Sequence, residues 1–99
     1  MNISKKYDDK ELTVNVEGRI DTITAPEFEE EIEKEYGNFD SLILDFTNLE
    51  YISSAGLRVL IIIEKKLKPD GIPFIITNLN DTINEIIVMS GFDKILDIR

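Results

Sequence analysis

Two hydrophobic rhythms alternate along this chain, and each change of rhythm marks a new element. From Leu12 to Val16 apolar and polar positions alternate strictly, with Leu12, Val14 and Val16 on one side and Thr13 and Asn15 on the other. A two-residue period predicts a half-buried strand, because successive side chains of an extended chain point to opposite faces. Ile3 to Tyr7 reads as an edge strand, and Asp8-Asp9-Lys10 supplies the turn that joins the two into a hairpin. Gly18 is expected to end the second strand, with Ile20 still facing the core. The spacing then lengthens: Phe28, Ile32 and Tyr36 recur every four residues, an apolar stripe along a helix. Thr24-Ala25-Pro26-Glu27 has the spacing of a capping box, and Ile23 and Phe28 stand where a hydrophobic staple would put them. Gly37 is the expected stop.

Leu42 to Phe46 is a short apolar run broken only by Asp45, the pattern of a strand buried on both faces. A polar connection, Thr47 to Glu50, follows it. The next apolar run, Leu57 to Ile63 with Arg58 inside it, is too long and too free of turn residues for a hairpin strand. It predicts a mostly buried helix opening at Ser53-Ser54, with Lys65, Lys66 and Lys68 near its end, where cations suit the dipole. Pro69-Asp70-Gly71 reads as a turn and Ile72 to Thr77 as a strand. Asn80 to Ser90 reads as a third helix, capped by Asn80 or Thr82, with Ile83, Ile86 and Ile87 as its buried stripe. Ile95 to Ile98 completes the order β-β-α-β-α-β-α-β. Strands alternating with helices imply an α/β fold with a mixed sheet, antiparallel in its first hairpin and largely parallel beyond it.

Length and charge narrow the class. At 99 residues the chain is expected to form one domain, 1–99, able to bury roughly 60–70% of its unfolded surface. Twenty acidic against 11 basic side chains leave a net charge of −9, which opposes nucleic-acid backbones and anionic membranes as partners. Met1 to Lys10 is polar, with no signal-peptide core, and no apolar run reaches the ~18 residues of a membrane span. A cytoplasmic location is expected.

Candidate chemistry is sparse. There are no histidines and no cysteines. The usual general base and the common transition-metal ligands are therefore missing, and no catalytic residue, metal or cofactor is expected. Asp21 and Asp45 could in principle pair as carboxylates, but the simpler expectation is that Asp45 ends a strand and Asp21 helps position a turn. Glu27, Glu29, Glu30, Glu31, Glu33 and Glu35 read as a solvated helix face. Ser53-Ser54 is different, because a helix start favours both a capping serine and an added anion.

The run Asp45-Phe-Thr-Asn-Leu-Glu-Tyr-Ile-Ser-Ser-Ala-Gly-Leu-Arg-Val-Leu60 closely resembles the signature of the STAS family, the sulfate transporter and anti-sigma factor antagonist domains. Gly18-Arg19-Ile20-Asp21 followed by Thr24 to Phe28 resembles that family's first segment, and Ser90 to Ile95 its closing one. A free-standing chain of this size is most similar to the bacterial anti-sigma factor antagonists. The resemblance implies a STAS-like fold and a partner switch rather than an enzyme. The unmodified domain would bind an anti-sigma factor that is also a serine kinase and so free a sigma factor. Phosphorylation would break the complex, and a serine phosphatase would restore it.

Carried onto this chain, the resemblance makes Ser54 the phosphoacceptor and places Asp21, Ser53, Ser54, Gly56, Leu57 and Arg58 at the partner surface. Gly56 would either admit partner backbone or pack helix on sheet, and Leu57 is either contact or core. Two positions depart from the family pattern: Ser53 stands where Asp is usual, and Arg58 where a small residue is often found. The first departure motivates an alternative, an interaction or scaffold domain in a different partner-switching pathway, not necessarily phosphorylated.

Overall fold

In the computed structural model, which describes residues 1–99, the first two strands form the expected hairpin. Strand β1 (Asn2–Asp8) pairs antiparallel with β2 (Glu11–Ile20), in a register that sets Ile3 opposite Val16 and Tyr7 opposite Leu12. Asp9, at φ 54°, makes the turn between them. Helix α1 (Ala25–Glu33) leads to β3 (Ser41–Asp45), which pairs parallel with β2. Helix α2 (Ser54–Leu67) and a 3-10 turn, Lys68–Asp70, lead to β5 (Phe74–Thr77), parallel to β3. Helix α3 (Asp81–Met89) and a 3-10 turn, Phe92–Lys94, precede β6 (Asp97–Ile98) on the far edge. Asn80 is the α3 cap, accepting from Ile83 N at 2.8 Å.

One strand was not expected. Leu49–Ile52 forms β4, parallel to the last residues of β2, where the sequence pattern gave a polar connection. The order is therefore β-β-α-β-β-α-β-α-β, and the sheet has six strands. The physical reason lies in β2. Its first half carries β3; at Gly18, φ +98°, a bulge shifts the register, and its second half carries β4. Gly18 does not end the strand but bends it, and Ile20 pairs with Ile52.

The core corrects a second expectation. Leu12, Val14, Val16, Leu42, Leu44, Phe74 and Ile76 are buried with the apolar stripes of the helices in a single cluster. Their alternate neighbours Thr13, Asn15, Ile43, Asp45, Ile75 and Thr77 are only half-buried. The central strand is thus covered on one face, not two. Ile43 lies beside Ile75 in register on the opposite face, so apolar flanks rather than a second helical layer explain the continuous run in the sequence.

Helix α1 departs locally. It ends at Glu33, before Tyr36, and Gly37 (φ +90°) lies in the following turn. Thr24 adopts helical angles, φ −91° and ψ −17°, and its side chain caps nothing. Asp21, three residues earlier, instead holds the turn before the helix by accepting from Ile23 N and Thr24 N. Ile23 is 87% exposed, so no staple forms.

Candidate functional site

Strands β2 and β4 end side by side, and this places the two serines. Ser53 N donates to Ile20 O at 2.8 Å, continuing the β4 ladder into the start of α2. Ser53 is extended, φ −91° and ψ 175°, and its Oγ accepts from Gly56 N at 3.3 Å. This is the side-chain cap of α2, a role in which Ser and Asp are near-equivalents. The cap commits the Ser53 oxygen. Ser54, the first residue of the helix, is exposed, and its hydroxyl has no hydrogen-bond partner within the domain.

Asp21 follows directly from Ile20, so the same pairing brings its loop next to Ser53. One carboxylate oxygen accepts from Ile23 N at 2.9 Å and Thr24 N at 3.0 Å. Thr24 Oγ1 in turn accepts from Asp21 N at 2.9 Å. The Thr24 amide first, then that of Ile23, the Thr24 hydroxyl and the nearby Arg19 charge, hold the Asp21 carboxyl below its ordinary range, against a smaller opposing effect of desolvation. Asp45 is bound elsewhere, by Thr47 and by Asn78 at 3.0 Å. Burial pushes its pKa up, but those hydrogen bonds outweigh it and the net shift is downward. The two carboxylates share no hydrogen-bond partner, and no grouping of acidic side chains could hold a metal ion.

Gly56 faces the sheet. It is buried, and a Cβ there would lie 2.6 Å from Ile52 Cγ1 and 2.8 Å from Ile20 Cγ2. Its lack of a side chain serves the approach of α2 to β2 and β4, the helix-on-sheet alternative of the two readings, and its buried position is not on the open surface beside Ser54. Leu57, 5% exposed, belongs mainly to the core. It also floors a hollow of about 330 Å³ lined by Ser54, Leu57, Arg58, Ile61, Ser90 and Phe92. Ser90 and Phe92 were not expected there as site residues. Their only signal was the likeness of their segment to the family's closing motif, so the three matching stretches meet around the start of α2. Arg58 also borders a second hollow, with Glu29 of α1 and Ile62. The largest hollow, about 530 Å³, is polar, shares no residue with the Ser54 surface and is lined by Glu17, Thr47 and Glu50 among others.

A six-stranded mixed sheet with three helices, and a serine pair where β4 runs into α2, is a STAS-like arrangement, and residues 2–99 match the STAS domain family: the chain belongs to it. Among its relatives, the anti-sigma-B factor antagonist of Listeria monocytogenes is 30% identical over 104 residues, an alignment spanning 100% of this chain and 90% of that one. The crystal structure of an anti-sigma factor antagonist from Mycobacterium paratuberculosis superposes with a TM-score of 0.89 at 26% identity, covering 98% of this chain and 83% of the other. The fold is also that of SpoIIAA, a Bacillus cell fate determinant, whose phosphorylated form superposes at a TM-score of 0.76 and 15% identity over 99% of this chain and 91% of that one. No helix is long and apolar enough to cross a membrane.

Proposed function

We propose that this chain is an anti-sigma factor antagonist that works as a phosphorylation-controlled partner switch. Unphosphorylated, it binds an anti-sigma factor that is also a serine kinase, and thereby frees a sigma factor. Transfer of the γ-phosphoryl group of ATP to Ser54 Oγ, with loss of the hydroxyl proton, ends that complex. A serine phosphatase restores it by hydrolysis. The observation that carries the reading is the exposed, uncommitted Ser54 hydroxyl at the first residue of α2.

The physics of the position favours a switch over an unfolding event. A phosphate at a helix start meets free backbone N–H groups and the positive end of the dipole, so the domain tolerates it. The same dianion desolvated in a packed interface costs several kcal/mol unless the partner supplies cations. A difference of ~4 kcal/mol changes affinity roughly a thousandfold. Ser53 supplies the cap that an Asp would, so α2 opens at Ser54 without the family's usual residue.

Incubation with the cognate kinase and ATP, followed by mass spectrometry, tests this. One phosphoryl group is expected on Ser54, absent in Ser54→Ala and retained in Ser53→Ala. A protein that gains no phosphate at either serine overturns the reading. The unphosphorylated scaffold alternative makes a separate demand: Ser54→Asp and Ser54→Ala would bind the partner equally well.

A further inference from the structure

Arg58 has no ion-pair partner in a chain with 20 acidic side chains. The ion pairs present engage Lys5, Lys34 and Arg99 instead. Arg58 is exposed and lies four residues after Ser54 on α2, which puts both on one face, one turn apart. Helical side chains lean back toward the N-terminus, so a long side chain at position 58 covers the turn that begins at Ser54. Both residues line the 330 Å³ hollow, and Arg58 is the one charged side chain in that lining. Its floor is apolar, formed by Leu57, Ile61 and Phe92. The first turn of α2 holds no acidic residue to compete for the guanidinium. Glu29 of α1 is the charged group across the adjoining hollow, and it forms no ion pair with Arg58.

We propose that Arg58 is the internal counter-ion of phosphorylated Ser54, closing over the phosphate from one turn down the helix. This rests on the reading of Ser54 as the acceptor. A guanidinium offers a planar fork of donors that matches two phosphate oxygens at once, and the apolar floor on one side strengthens the attraction by excluding water. Phosphorylation then does two things to the surface. It adds negative charge at Ser54, and it draws in the cation that the unmodified protein presents beside it. The docking face of the phospho-form lacks a free arginine as well as bearing a dianion.

The test does not need the kinase. Phosphoserine is incorporated at position 54 during synthesis, and the second phosphate ionisation is followed by phosphorus NMR in three proteins: Arg58 unchanged, Arg58→Lys and Arg58→Gln. The helix-start effect is common to all three. Arg58 is expected to lower the phosphate pKa by about 0.5–1 unit relative to Arg58→Gln, with Arg58→Lys in between. The difference shrinks as salt is raised. Superimposable titrations for Arg58 and Arg58→Gln overturn the proposal. A kinase that leaves Ser54 unmodified would instead reject the acceptor reading, while this titration still reports whether the pair forms.

Discussion

Ser53 and Ser54 are adjacent, yet one oxygen is spent on Gly56 N and the other is not. Gly56 shows the same dependence on surroundings. A methyl group there meets Ile52 and Ile20 well inside contact distance, at atoms near the root of buried side chains. Alanine is a better helix former than glycine by about 1 kcal/mol, but forcing a methyl into a filled core costs about 1–3 kcal/mol. Packing wins. The 2.6 and 2.8 Å approaches put the overpacking cost toward its upper end, so Gly56→Ala is expected to lose up to about 2 kcal/mol of stability, read as a lower urea midpoint; an equal or higher midpoint would show that α2 does not sit where the Ile20 and Ile52 contacts place it.

At the scale of elements, short hydrogen-bonded devices hold the helices to the sheet. Asp21 starts the winding that leads into α1, and its carboxyl titrates below the ordinary value of 3.8. The unfolded chain therefore takes up this proton first as pH falls. The contribution of Asp21 to stability is whole above pH 3.8 and disappears as pH drops through the folded value. Asp21→Ala is expected to be less stable at neutral pH and to show a shallower loss of stability below about pH 4; acid unfolding curves of identical slope would contradict this. At the other end of α1, Lys5 Nζ bridges Glu31 and Glu35 at 3.0 Å, and Tyr7 donates to Glu35 at 2.8 Å, tying β1 to the turn after the helix. Desolvation, with the Glu35 carboxylate that accepts its proton, pushes Tyr7 up to about 12. As the ring is still 39% exposed, the carboxylate is the firmer cause. These latches explain how an edge strand with no fully buried residue stays attached.

For the whole molecule, net charge and size set one expectation. The domain measures 32 × 27 × 21 Å and carries a net −9. At ~10 mM salt the screening length is roughly 30 Å, so like charges repel across the full width; at ~150 mM it falls to about 8 Å. The ion pairs are few and lie toward the surface, so their loss on screening is small. The melting temperature is expected to rise from ~10 mM to ~0.5 M sodium chloride, and a fall would mean that attractive pairs outweigh the net repulsion.

Much of this architecture was legible in the chain. The alternation at Leu12–Val16, the four-residue spacing at Phe28–Ile32, the Asn80 cap and the opening of α2 at Ser53-Ser54 are local patterns, and local geometry obeys them. Strand β4 was not legible, because its four residues are too few to set a period and depend on a bulge in a strand far upstream. Nor was the one-sided cover of β3, since an apolar run looks the same whether a helix or a neighbouring isoleucine shields it. The Thr24 capping box failed because the Asp21 carboxylate takes the Thr24 amide that Glu27 would have reached, and the Thr24 hydroxyl is turned back to Asp21 N and Arg19 O.

Residue order alone established every element but β4, the lack of histidine and cysteine side chains, and the family likeness. Folding in three dimensions assigned the cap to Ser53, turned Gly56 inward and set Arg58, Ser90 and Phe92 around Ser54. The division has one cause: periods and caps act over a few residues, whereas burial and proximity depend on which distant segments the sheet brings side by side.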